Sequence, residues 1–160
     1  MFALEPTRAS VVARIKGNGS KKPILVMGHS DTVGVQRENW SVDPFAAIRK
    51  NGFIYGRGAQ DDKDNLTAGL MLMLLLKRLN VKLDRDVIFL SEAGEEGTSH
   101  VGISFMVEKH WDEIDAEYAL APGRWCGQQR SDDREAQTCP SITLVWIALI
   151  THPRVPSLRR

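Results

Sequence analysis

The chain has 160 residues, 21 Lys and Arg against 20 Asp and Glu, a formal net charge of +1 and 42% hydrophobic residues. That is one domain's worth of chain with enough apolar content for a real core, and the even charge balance argues against nucleic acid or a membrane surface as partner. The only cysteines, Cys126 and Cys139, lack CxxC spacing and a neighbouring ligand histidine, which excludes a disulfide framework and a zinc knuckle.

The N-terminal MFALEPTRAS has no cationic region followed by an apolar stretch, so no signal peptide is expected and the location reads as cytoplasmic. Residues 11–15 alternate, Gly17 to Ser20 turn the chain, and a second apolar run follows at 24–27. This predicts a hairpin of two strands. The run at 24–27 closes on Gly28 and then delivers His29, Ser30 and Asp31. An apolar run of this kind reads as a buried strand of an α/β sheet, where catalytic groups gather outside the carboxyl ends. An irregular loop carries Trp40, Asp43 and Pro44. Residues 46–50 and 53–55 flank Asn51-Gly52, the strongest short cue for a two-residue hairpin turn.

Gly56-Arg57-Gly58-Ala59-Gln60 leads into Asp61, Asp62 and Asp64. The glycines form no dinucleotide or phosphate fingerprint; they let the backbone turn and present carboxylates. Residues 65–80 are strong helix formers, apolar nearly all round, and predict a core helix. Their apolar run, 70–76, is far shorter than the roughly 20 residues of a membrane span. Asp62 and Asp64 read as helix-capping charges, and Asp61, before the helix, as something more. Residues 86–91 predict another buried strand, running straight into Glu92, Glu95 and Glu96. Thr98 and Ser99 are placed to cap a helix through Lys109 with Val101, Phe105 and Met106 inward. A short segment at 111–114 and a strand at 116–121 follow. The alternation predicts an α/β domain with a mixed sheet and helices on both faces.

Three strand ends thus carry His29 and Asp31, Asp61, and Glu95 and Glu96. A histidine with a carboxylate two residues on can be a metal ligand and its orienting partner, the carboxylate accepting the second ring N–H. Carboxylates gathered in one cleft repel one another unless a cation neutralises them. One imidazole with hard carboxylate oxygens suits zinc, and also cobalt or manganese. Such an ion acidifies a water to a pKa of about 7, within reach of a nearby carboxylate base. This is the chemistry of amide or ester hydrolysis.

GHSDTV, GRGAQDDK and SEAGEEG, in this order and spacing, resemble the three N-terminal motifs of the di-zinc metallopeptidase family that includes aminoacylase, carnosinase, acetylornithine deacetylase, succinyl-diaminopimelate desuccinylase and carboxypeptidase G. The resemblance covers about residues 11–121. It implies that His29 binds one zinc and Asp31 orients it, and that Asp61 bridges two zincs through a cis Asp61–Asp62 peptide. It implies that Glu95 is the general base and Glu96 a ligand of the second zinc. It further implies a small peptide or N-acyl amino acid as substrate, and a homodimer formed through an inserted domain that has no room here. His100, His110 and His152 match no motif and read as ordinary surface or helix-end histidines.

The chain also departs from the family pattern. Where a further acidic ligand is expected after the strand at 116–121, the sequence reads Ala121-Pro122-Gly123, with no acid until Asp132. From Pro122 onward lie both cysteines, four of the seven prolines, and no lysine or phenylalanine. The expectation is therefore an N-terminal catalytic part at 1–121 and an atypical tail at 122–160, out of frame or disordered, on a truncated and inactive chain. Within that tail, residues 141–150 are an apolar patch that would be sticky if unpaired. The rival reading is a non-catalytic α/β module that binds a divalent cation structurally. A third is a folded fragment without metal. Adjacent Glu95 and Glu96 speak against the rival, since a structural site needs no free base beside a ligand.

Overall fold

A computed structural model describes residues 1–124 and, in backbone, the strand 143–149. Asp132, His152, both cysteines and most of the atypical tail fall outside the described residues. The elements run β1 (Phe2–Glu5), β2 (Arg8–Ile15), β3 (Ile24–His29), β4 (Ile48–Lys50), β5 (Phe53–Tyr55), α1 (Lys63–Arg78), β6 (Val87–Glu92), α2 (Ile103–Lys109), α3 (Trp111–Ile114), β7 (Tyr118–Arg124) and β8 (Thr143–Leu149). Six strands form one sheet in the order β1-β2-β6-β3-β7-β8, and β4 and β5 pair separately. β3 lies parallel to both β6 and β7, while β2, β8 and β1 join antiparallel. This is the expected mixed α/β sheet.

The first hairpin is corrected. β2 and β3 do run in opposite directions, but they do not pair, because β6 lies between them. The turn wraps the start of β6 instead. Asn18 N–H donates to the Leu83 carbonyl, Lys21 N–H to that of Asp84, and Gly17 N–H to the Asp86 carboxylate. Lys16 and Arg14 also pair with Asp86 and hold its carboxyl down at about 2. The hairpin at Asn51-Gly52 forms as expected, with φ of 52° and 80° at the two turn residues, the mirror-image turn that matches strand twist.

Alternate side chains of the central strands feed two cores. Leu25, Ile88 and Leu90 pack with Met106 and Ile114 on the face covered by α2 and α3. Val87 and Phe89 pack with Met73 and the half-buried Val26 and Leu66 on the face covered by α1. Burying such side chains fully is worth about 1.5–3 kcal/mol each. α1 approaches closely at Gly69, where a Cβ would lie 2.9 Å from the Phe89 ring.

The helix ends in a Schellman arrangement: Asn80 has φ 48°, and Val81 N–H and Asn80 N–H donate to the carbonyls of Leu76 and Lys77. The expectation of a core helix holds on one face only. Leu70, Met71, Leu72, Leu75 and Leu79 are exposed, because one face alone meets the sheet and no described element covers the others.

α2 begins at Ile103 rather than after Thr98 and Ser99. The Thr98 hydroxyl is taken by Arg8, and Gly102 is wedged against the Gly94 backbone, where a Cβ would meet the carbonyl oxygen at 2.7 Å. The apolar stretch in the tail is paired: residues 143–149 form β8 beside β7. No helix among the described residues is long and apolar enough to cross a membrane.

Candidate metal centre

The chain leaves β3 toward α1 on one face of the sheet and leaves β6 toward α2 on the other. Adjacent strands that diverge in this way open a crevice at their carboxyl ends. His29 and Glu92 are register partners at that edge, and the loop after β6 carries Glu95 and Glu96.

The structure brings His29, Asp61 and Glu96 together, with one potential ligand atom from each within 4.8 Å of the others. His29 is 4% exposed. Its Nε2 lies 3.0 Å from Asp61 Oδ1 and 3.9 Å from Glu95 Oε2. Its Nδ1 meets the main-chain carbonyl of Asp31 at 3.1 Å, with the Asp31 carboxylate farther off at 3.5 Å. Asp31 thus orients the ring chiefly through its backbone, unlike the expected carboxylate contact. Its carboxylate instead accepts the N–H groups of Glu95 and Glu96, each at 3.0 Å. That ties the β3 end to the β6 loop and aims both glutamates.

The Asp61–Asp62 peptide is cis, as the family resemblance implies. The capping role expected for Asp62 is corrected. Asp62 stands at the N-cap position, but its side chain makes no cap bond and is buried. It accepts His29 N–H at 3.1 Å and the Asn65 side-chain amide, so it anchors the strand end that bears the histidine. Asp64 is exposed and bonds only the next N–H.

Burial disfavours a charged His29 ring. The Asp31 carbonyl and Asp61 carboxylate bonded to it, with the charges of Asp62 and Glu95, nevertheless hold its pKa above the ordinary value. Burial likewise raises Asp62. Glu92, 2% exposed, is pushed by burial to about 7, and its Oε2 has no hydrogen-bond partner among the described residues. A buried histidine with the carboxylates of Asp61 and Glu96 beside it is a donor set that a divalent cation would satisfy.

Two participants escaped sequence reasoning. Arg8 donates to the Ala93 carbonyl at 3.2 Å and to the Thr98 hydroxyl, and stands 3.7 Å from Asp31. It brackets the loop that presents Glu95 and Glu96, and its partners lie too far along the chain for any local pattern to show it. Glu92 carries a local signal, an acid closing an apolar run, but only the strand register sets it opposite His29. His100 is exposed, and His110 closes α2 with its ring against Phe2 and Phe105; both match their expected roles.

Gly28 leaves no space for a side chain. A Cβ there would lie 2.5 Å from Asp62 Oδ2 and 3.2 Å from Leu66. Gly28→Ala is therefore expected to cost about 1–3 kcal/mol, read from the denaturant midpoint, and to weaken metal binding by displacing the Asp62 anchor of His29.

A histidine–carboxylate cluster at the switch point of an α/β sheet makes this domain a candidate divalent-metal binder. The model of Peptidase family M20/M25/M40 matches residues 25–135, and the chain belongs to that family. It is 38% identical over 99 residues to an N-formyl-4-amino-5-aminomethyl-2-methylpyrimidine deformylase of Halalkalibacterium halodurans, covering 60% of this chain and 23% of that protein. It is 38% identical over 118 residues to a probable succinyl-diaminopimelate desuccinylase of Staphylococcus aureus, covering 72% and 28%. The solved structure of an M20 family metallo-carboxypeptidase from Sulfolobus solfataricus superposes with a TM-score of 0.62 at 32% identity, covering 72% and 26%. The chain spans about a quarter of the length of these relatives.

Proposed function

We propose that this chain carries the first part of the catalytic site of a zinc-dependent amidohydrolase acting on a small peptide or N-acyl amino acid. The observation that carries the reading is the convergence of His29, Asp61 and Glu96 within 4.8 Å in a chain of Peptidase family M20/M25/M40. Zinc is favoured by the mixed imidazole and carboxylate set, with cobalt or manganese as substitutes. When bound, the ion would polarise the scissile carbonyl and acidify the attacking water.

The chain's own residues supply the rest. Glu95, with its side chain 58% exposed and 3.9 Å from His29 Nε2, would serve as the base toward that water. Asp31 fixes both glutamates through their amides, and Asp62 fixes the backbone of His29. The structural-module alternative gives Glu95 no task.

Catalytic zinc sites normally use three protein ligands, and among the described residues three converge. The set suits one ion rather than two. We therefore expect calorimetric titration with zinc to give one site per chain, lost in Asp61→Asn. N-acetyl amino acids and dipeptides should not turn over, while a full-length relative assayed alongside hydrolyses one of them. Two tight sites with hydrolysis would show that residues beyond those described supply ligands. No zinc binding at all would overturn the reading.

A further inference from the structure

Along the segments that lead to and from the metal centre lies an open cleft of about 560 Å³ lined by Gly34, Val35, Gln36, Asn39, Trp40 and Arg57. Its two walls continue the segments that present the centre. Gly34 follows Asp31 by three residues and Arg57 precedes Asp61 by four, so about 14 Å of chain at most separates either wall from a site residue.

The cation in this cleft has no anionic partner among the described residues. The guanidinium of Arg57 stacks over Trp40, 5.5 Å from the ring centroid, and its Nε is shut off from water with no acceptor. The neighbouring cation behaves differently, since Arg37 pairs with Asp43 at 3.4 Å. Asn39 donates to the Gln36 Oε1 at 2.8 Å, which leaves the Gln36 NH2 group as a further donor on the same wall. A partly desolvated charge with an unpaired N–H is costly unless an anion meets it. A guanidinium fork flanked by an amide donor and an indole face matches a planar carboxylate.

We infer that this cleft is a subsite for a carboxylate of a small organic acid, held by Arg57 with help from Gln36. Its use in hydrolysis rests on the amidohydrolase reading; its ability to bind does not. The test uses the metal-free chain, so failure here is distinct from failure of the metal centre.

The Trp40 indole N–H resonance, assigned through Trp40→Phe, is followed while succinate, its neutral diamide succinamide, or phosphate is added. A saturable shift with succinate is expected at millimolar concentration, with none from succinamide. Arg57→Gln should abolish it, and Arg57→Lys should weaken it about tenfold, since lysine lacks the planar fork. If Arg57→Gln fails to fold by circular dichroism, Gln36→Glu serves, since it sets a like charge on an exposed wall and should also weaken succinate about tenfold. Equal shifts from succinamide, or an unchanged shift in the Arg57 and Gln36 variants, would overturn the subsite. So would phosphate binding as tight as succinate and indifferent to Arg57→Lys, which would mark an unspecific cationic patch.

Discussion

Glu95→Gln is expected to leave metal binding intact while removing the carboxylate proposed as the base in hydrolysis. The two adjacent glutamates are held alike, each N–H bonded to the Asp31 carboxylate at 3.0 Å, but Glu96 is the more buried of the two. Glu96 brings an oxygen into the cluster with His29 and Asp61. Glu95 stays largely exposed with its oxygen 3.9 Å from His29 Nε2. Glutamine keeps the shape and hydrogen-bonding length but cannot take a proton.

In a full-length relative carrying the same SEAGEEG motif, the matching substitution should lower kcat by about 10²–10⁴-fold, as expected for loss of a general base. That is roughly 3–5 kcal/mol of barrier. In this chain, Glu95→Gln should titrate with zinc as the parent does, whereas Glu96→Gln should not. Loss of zinc in Glu95→Gln would exchange the two roles.

Raising the pH from 4.5 to 7 is expected to destabilise the metal-free chain through Glu92. Burial lifts its pKa from 4.5 to about 7, so the folded state holds a proton that the unfolded chain has already released. The stabilisation is complete below 4.5 and is lost as the pH rises through about 7. A shift of this size corresponds to roughly 3 kcal/mol. His29 and Asp62 are also raised and push the same way. Asp86, held down at about 2 by Lys16, Gly17 and Arg14, acts oppositely. Its contribution is present above about 4 and lost as the pH falls through 2, below the window that concerns Glu92.

Glu92→Gln should therefore flatten the slope between pH 4.5 and 7, and should be more stable than the parent at pH 8 in chelator. Zinc should stabilise the parent chiefly above neutral pH, because ligands bind metal when deprotonated. Denaturant midpoints at four pH values, with chelator and with zinc, measure this. An identical slope in Glu92→Gln would place the titrating group elsewhere.

Much of the candidate site was legible because its residues sit next to local signals. Gly28 closes an apolar run and hands over His29. The glycines of 56–58 precede Asp61, and Gly94 and Gly97 bracket the paired glutamates. Asn51-Gly52 declared its own turn, because only residues that tolerate positive φ fill both positions. The helical pattern after Asp62 is likewise a property of neighbouring residues.

Tertiary structure alone decided which strands pair, since the insertion of β6 between β2 and β3 depends on chain some 60 residues away. It decided that Asp62 anchors His29 rather than capping a helix, since burial at 1% exposure follows from packing under β3. It turned the Asp31 carboxylate toward two amide groups 64 and 65 residues distant. It brought in Arg8, whose partners lie 85 and 90 residues along. Period and turn chemistry are written over a few residues. Burial, pairing and the pKa of a carboxyl such as Glu92 exist only once distant segments have closed on one another and excluded water.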